Sequence, residues 1–161
     1  MIAYQGVTIE IGDIIADTGR WQRMLDTHED VFSGLNDGAR IGLLPRSAAD
    51  LGAGKRIAAV EGARLHGNAL SWEADGMRMH ARNAIFTDFR DSKFDLLFVA
   101  GDEALRELYL CLESEPLSVM KRMVRRGDIL FYVMRSKPEL QDAGYEDFLD
   151  SLGLAFLGAC R

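Results

Sequence analysis

The strongest structural signal in this chain is the stretch Ala69-Leu-Ser-Trp-Glu-Ala-Asp-Gly-Met-Arg-Met-His-Ala-Arg82. Apolar and polar residues alternate on both sides of Asp75-Gly76, a dipeptide typical of two-residue type I′ turns, so the pattern predicts a β-hairpin. With these two residues in the turn, five cross-strand pairs are expected: Ala74 with Met77, Trp72 with Met79 and Leu70 with Ala81 on the apolar face, and Glu73 with Arg78 and Ser71 with His80 on the polar face.

On the N-terminal side of the hairpin, the chain changes from strand-like to helical periodicity. Alternation over residues 7–11 predicts a half-buried strand, which Gln5-Gly6 turns back onto residues 2–4. From Thr18, apolar residues recur at helical spacing as far as a stop at Gly34. The stripe consists of Trp21, Met24, Leu25, His28, Phe32 and Leu35. A turn at residues 36–38, a short strand over residues 41–44 and a Gly/Ala-rich loop over residues 45–55 follow.

On the C-terminal side, residues 84–89 and 94–100 predict two further strands joined by a polar turn, which makes the middle of the protein an antiparallel sheet. Residues 102–112 leave two alternatives open. Their propensity favours a helix after an Asp cap, whereas a turn at residues 100–103 would start another strand.

The last third of the chain carries helix-capping signals. Pro116 opens an amphipathic helix that Gly127 ends, and residues 128–135 form a strand. Ser136 and Glu139 match a capping box that opens a helix reaching Leu152. Residues 154–159 are either a short strand or a packed tail. The predicted fold is a single α+β domain over residues 1–161, a central antiparallel sheet with amphipathic helices packed on it.

Composition narrows the class of protein. The 161 residues carry a formal charge of −6 and are 48% hydrophobic, as expected of one globular domain. The charge argues against broad nucleic-acid binding. We expect no membrane span, no secretory signal and a cytoplasmic location. The two cysteines, Cys111 and Cys160, match neither a disulfide framework nor a metal site.

No catalytic signature is recognisable, and no catalytic residue is predicted. Asp88, Asp91 and Asp95 lack the pattern of a calcium-binding loop and predict a solvated turn. Residues 51–56 lack the spacing of a phosphate-binding loop. Four cations share one helix, either as a solvated face or as an anion contact: Lys121, Arg122, Arg125 and Arg126.

Three histidines are candidate ligands, because a neutral imidazole readily binds metal ions. His28 falls within the apolar helical stripe, His66 precedes a Gly-Asn turn, and His80 lies on the polar face of the hairpin. For each, a structural or surface role is the alternative.

The run Phe94-Asp-Leu-Leu-Phe-Val-Ala-Gly-Asp-Glu-Ala-Leu-Arg-Glu-Leu-Tyr-Leu110 resembles a strand, turn and second strand of the bacterial haem-utilisation family, which comprises haem carriers and haem-degrading proteins. Glu107 stands where that family has a lysine. The resemblance implies a strand over residues 102–112 and a bound haem or other tetrapyrrole. It makes His28, His66 or His80 the axial ligand and Arg78 or Arg82 the partner of the propionates.

Two functions follow as hypotheses. The first is a cytoplasmic ligand-binding protein that binds or carries haem or another tetrapyrrole. The alternative is a non-catalytic regulatory, adaptor or immunity-type protein that acts through protein–protein contacts. In either case a homodimer is expected, formed through an exposed sheet edge or through the apolar run 154–157.

Overall fold

A computed structural model describes residues 9–47, 67–86 and 93–154. The described strands form one five-stranded sheet in the order β3-β2-β1-β4-β5. The strands are β1 (Arg40–Pro45), β2 (Gly67–Asp75), β3 (Arg78–Phe86), β4 (Leu96–Ala100) and β5 (Ile129–Val133). The helices are α1 (Ile11–Ala16), α2 (Thr18–Thr27), α3 (Glu29–Phe32), α4 (Asp102–Leu110), α5 (Pro116–Arg126), α6 (Lys137–Ala143) and α7 (Glu146–Ser151).

The α+β class is confirmed, but the sheet is mixed rather than antiparallel. β1 and β4 run parallel, and the other three neighbouring pairs are antiparallel. β4 therefore does not follow the hairpin in space but returns to the far side of β1. All five of its residues are buried, and β4 lies inside the sheet between β1 and β5.

The hairpin forms in a register different from the predicted one. Gly76 and Met77 occupy the turn, both with φ of 64°, so that Ala74 pairs with Met79 and Trp72 pairs with Ala81. The predicted pairs are wrong by two positions. An even shift leaves each side chain on its predicted face, and Trp72 and Met79 are both buried on the same side of the sheet.

The segment before β1 explains this shift. Gly38 N donates to Ala74 O, Ala74 N donates to Ala39 O, and the Asp37 carboxylate accepts from Gly76 N. These bonds hold Asp75 in the strand and move the turn forward by one residue.

β3 is one continuous strand. The predicted strand at residues 84–89 is confirmed over Ala84–Phe86, where it continues β3 instead of forming a strand of its own, and residues 87–89 lie outside the described part. The N-terminal strand is wrong where it can be seen, because Ile11 opens α1. Ile14 and Ile15 are buried in that helix, a spacing of three and four residues from Ile11 that suits a helix.

The helical predictions are largely confirmed. The predicted helix from Thr18 is broken at His28 into α2 and α3. Residues 102–110 form α4, with Leu105 and Leu108 buried, so propensity was right and the strand implied by the resemblance does not form. α5 ends at Gly127 with φ of 82°, and the Ser136–Glu139 capping box opens α6. Gly144, with φ of 85°, separates α6 from α7.

Every described helix contributes to a core on one face of the sheet. Trp21 and Trp72 lie at its centre, with ring centroids 6.0 Å apart. The opposite face carries a second, smaller cluster made of Leu44, Ala69, Phe86, Phe94, Leu97 and Val99. Among the described helices, none is long and apolar enough to cross a bilayer.

Candidate functional site

A groove of about 860 Å³ lies between the α2–α3 segment and the turn of the hairpin. Its apolar lining comes from both sides: Leu25, Phe32, Leu35, Ala74, Met77 and Met79. All of these except Met77 are buried, because the same residues anchor α2 and α3 to the sheet. The groove is thus a surface extension of the main core.

The polar lining of the groove is predominantly acidic. It has four carboxylates and one guanidinium, which makes a formal charge of −3: Asp26, Glu29, Asp30, Asp37 and Arg78. Arg78 binds Asp26 through two hydrogen bonds of 3.2 and 2.9 Å. The bonds from Arg78 lower the pKa of Asp26, so this carboxyl stays ionised. Glu29 and Asp30 are exposed, and within the described part of the chain neither forms an ion pair.

Met77 stands at the rim of the groove and is 100% exposed. Its φ of 64° is in the left-handed region, where a side chain costs roughly 1–2 kcal/mol. Glycine is the residue usually preferred at such a turn position. The chain thus holds a large apolar side chain in solvent at a strained position.

The structure does not bring the predicted histidine ligands into this groove. His28 lies at the junction of α2 and α3, and its Nε2 is buried with no hydrogen-bond partner among the described residues. His80 Nε2 lies 3.1 Å from Asp75 O. Neither residue lines the groove, and His66 lies outside the described residues.

The two predicted arginines occupy different places. Arg78 lines the groove, whereas Arg82 lies 3.8 Å from Glu73 on β2. Ser71, which is fully buried, also donates to Glu73, and Arg40 lies 4.0 Å from it. This cluster joins three adjacent strands and holds the polar end of the second sheet face together.

A second polar network surrounds Asp95, which was predicted to lie in a solvated turn with Asp88 and Asp91. Asp95 accepts from Arg40 N at 3.0 Å and from the Tyr145 hydroxyl at 2.7 Å, and Arg135 Nε lies 3.3 Å away. The prediction is therefore wrong for Asp95, which joins β1, β4 and the start of α7. Asp88 and Asp91 lie outside the described residues.

A third polar network ties α4 to the N-terminal helices. The Tyr109 hydroxyl donates to Asp17 at 2.5 Å, and the Arg20 guanidinium lies 4.3 Å above the Tyr109 ring. On the basic helix α5, Arg122 pairs with Glu107 and Arg126 pairs with Asp128. These ion pairs agree with a structural, solvated helix face.

Sequence reasoning missed the groove and its acids. Glu29, Asp30 and Asp37 are ordinary surface residues in a linear sequence, and Met77 was placed in a strand. One signal was available in the sequence. Met77 directly follows Asp75-Gly76, so a turn shifted forward by one residue would expose its large apolar side chain. No family model, curated protein or solved structure matches this chain.

Proposed function

We propose that this chain is a non-catalytic binding protein that acts through contacts with a protein partner docked in the groove. The observation that carries the proposal is the make-up of this surface, an apolar floor bordered by charged groups. Protein interfaces have the same organisation, with an apolar centre and a polar rim. The fully exposed Met77 adds a residue type that is enriched at interfaces.

The role of polar groups that are at least partly buried elsewhere in the fold supports the proposal. Asp95 with Tyr145, and Asp17 with Tyr109, connect elements of the fold to one another. Such pairs stabilise a scaffold. The groove, in contrast, leaves carboxylates and an apolar side chain facing solvent, where they are available to a partner.

The test is selection from a display library of short random peptides, followed by mapping of the selected peptides through backbone NMR shifts. We expect selected peptides to shift residues of α2, α3 and the hairpin turn. Ser33→Trp would fill the groove and should abolish binding. Ser114→Trp is the matched control, because both serines are exposed and donate to a carbonyl three residues earlier. Peptides that map elsewhere, or that bind Ser33→Trp as they bind the parent, would overturn the proposal.

A second candidate function is haem or tetrapyrrole binding, favoured by the buried Nε2 of His28, which has no hydrogen-bond partner in the described part of the chain. A buried imidazole nitrogen without a hydrogen bond is costly unless it finds a donor or a metal ion. Titration with haemin should then saturate near one equivalent with a defined Soret shift, and His28→Gln should abolish that spectrum. His66→Gln and His80→Gln are the parallel controls. If all three variants bind haemin as the parent does, histidine ligation is excluded.

A further inference from the structure

We infer that the partner's docking segment is basic and amphipathic, with an apolar face on the groove floor and Lys or Arg side chains against Glu29 and Asp30. This inference rests on the proposed function and specifies the chemistry of the partner. It follows from three features of the groove: its charge, the availability of its carboxylates and its exposed methionine.

The charge of the groove selects against acidic partners. Its lining carries a formal charge of −3, and the chain as a whole carries −6. An acidic segment would be repelled both in the encounter and at close contact, whereas a basic segment would be attracted at long range. Charge complementarity therefore fixes the sign of the partner's charge.

The carboxylates differ in their availability. Asp26 is held by Arg78, and Asp37 accepts a hydrogen bond from Gly76 N. Glu29 and Asp30 are the exposed acids of the first turn of α3, with no ion pair among the described residues. A partner guanidinium or ammonium can form charge-assisted hydrogen bonds with them without breaking an existing pair. These two residues are the expected acceptors.

The apolar floor and Met77 require that the partner segment carries apolar side chains as well as positive charges. The floor side chains are already buried, so the apolar surface open to a partner is chiefly Met77, which a purely polar segment would leave in water and apolar side chains would cover. Met77 can close over such a segment, because its unbranched side chain adapts to an irregular surface. The positive φ of Met77 marks a strained position, as is common at sites of contact with a ligand.

The first experiment compares three fluorescein-labelled peptides of equal length, about 15 residues each. One is a Lys/Leu amphipath, one a Glu/Leu amphipath and one a Lys/Ser polycation. Fluorescence anisotropy should show saturable binding of the Lys/Leu peptide, weakening with added salt, and about tenfold weaker binding of the other two. Equal binding of the Lys/Ser peptide would remove the amphipathic requirement. Equal binding of the Glu/Leu peptide would remove the charge requirement.

The second experiment uses variants of the protein. Glu29→Gln with Asp30→Asn should weaken binding of the Lys/Leu peptide about tenfold. The matched control is Glu146→Gln with Asp147→Asn, since these residues are the exposed Glu-Asp pair in the first turn of α7. The control should bind like the parent, and equal losses in both double variants would show only a nonspecific charge effect and overturn the assignment.

The variant Met77→Gly distinguishes a role of Met77 in contacting the peptide from a role in the stability of the fold. Glycine relieves the positive φ, so the variant should melt at the same or a higher temperature and still bind the Lys/Leu peptide several-fold more weakly. Unchanged affinity would exclude Met77 from the interface. If the peptide library yields groove-binding sequences without net positive charge, the inference about charge fails and the proposed function stands. If no peptide maps to the groove, both fail.

Discussion

Tyr145 shows how a single hydroxyl links distant parts of the chain. It is fully buried at the start of α7, donating to Asp95 at 2.7 Å and to Arg40 O at 3.3 Å. Burial and the neighbouring Asp95 carboxylate raise the pKa of Tyr145 well above its ordinary value near 10. The side chain therefore stays neutral throughout the physiological range.

This raised pKa predicts a loss of stability in alkali. A group whose pKa is higher in the folded state contributes its full stabilisation below the unfolded pKa and loses it as the pH rises further. Above pH 10, Tyr145 ionises in the unfolded chain but not yet in the folded one. The free energy of unfolding of the parent should therefore fall by about 1.4 kcal/mol per pH unit. Tyr145→Phe should be about 1–3 kcal/mol less stable at neutral pH but should show a shallower alkaline decline. Urea unfolding on both sides of pH 10 measures this, and parallel declines in the two proteins would contradict it.

Trp72 is the residue on which the hairpin's burial depends. It is fully buried between Trp21 and Phe32, with ring centroids 6.0 and 6.1 Å away. Trp72→Ala should lower the free energy of unfolding by about 3–5 kcal/mol, because a large cavity opens at the centre of the core. Met77→Ala, a truncation in the same hairpin at an exposed position, is the control and should be close to neutral. A near-neutral Trp72→Ala would be incompatible with the burial described here.

Among the secondary-structure elements, the two edge strands of the described sheet differ in whether their outer backbone groups are hydrogen-bonded. The edge strand β3 is covered by the Gln22 side chain of α2, whose amide donates to Met79 O and accepts from Ala81 N, both at 2.8 Å. These two hydrogen bonds replace those that a neighbouring strand would form. They occupy backbone groups that would otherwise be open to another chain.

Gln22→Ala should therefore uncover the edge of β3. The loss of two hydrogen bonds to the backbone should cost about 1–3 kcal/mol. It should also raise the rate of aggregation on mild heating, measured by light scattering. Arg23→Ala, at the next and exposed position of α2, is the control. Equal aggregation of the two variants would show that Gln22 does not protect the edge.

The opposite edge, β5, has no such cover among the described residues. Its sequence, Ile-Leu-Phe-Tyr-Val, carries no charged side chain, and Val133 is 47% exposed. Gly101 N donates to Asp128 O and Met134 N donates to Asp95 O, so by alternation the backbone groups of Ile129, Phe131 and Val133 point outward. We propose this edge as the surface for the expected homodimer.

Val133→Lys tests that proposal, because a lysine on an edge strand opposes pairing with a second copy. Sedimentation at high micromolar concentration should show a dimer for the parent and a monomer for this variant. Ile85→Lys, at an exposed position of β3, should remain dimeric. A parent protein that is monomeric at this concentration would eliminate the proposal.

At the scale of the whole molecule, contacts between distant segments join the described elements into one core. Asn36 N donates to Ala143 O and the Asn36 side chain donates to Asp142 O, which ties the turn before β1 to α6. Tyr145 connects α7 to β1, and Tyr109 connects α4 to α2. Each described helix packs against this core.

The molecule should therefore unfold as one cooperative unit. Urea transitions followed by tryptophan fluorescence and by far-ultraviolet circular dichroism should coincide. Fluorescence reports the Trp21–Trp72 centre, whereas circular dichroism reports all helices and strands. Separate midpoints would show that the C-terminal helices fold independently and that the single-domain prediction is wrong.

Features that depend on neighbours along the chain could be predicted from the amino-acid sequence. The Ser136–Glu139 capping box, the end of α5 at Gly127 and the existence of the hairpin were all predictable. Each rests on hydrogen bonds and backbone angles within a few residues. The choice of helix for residues 102–110 followed from the same local propensity.

The way these elements combine depends instead on contacts between segments that are distant in the chain. The turn lies at Gly76-Met77 because bonds from residues 37–39 hold β2, and β4 pairs in parallel with the distant strand β1 rather than with β3, the strand that precedes it in the chain. The groove likewise has Glu29 and Asp30 in the same lining as Met77, although these residues are far apart in the sequence and no local pattern relates them. Such pairings depend on packing energies between distant segments, which capping, turn and periodicity signals do not record.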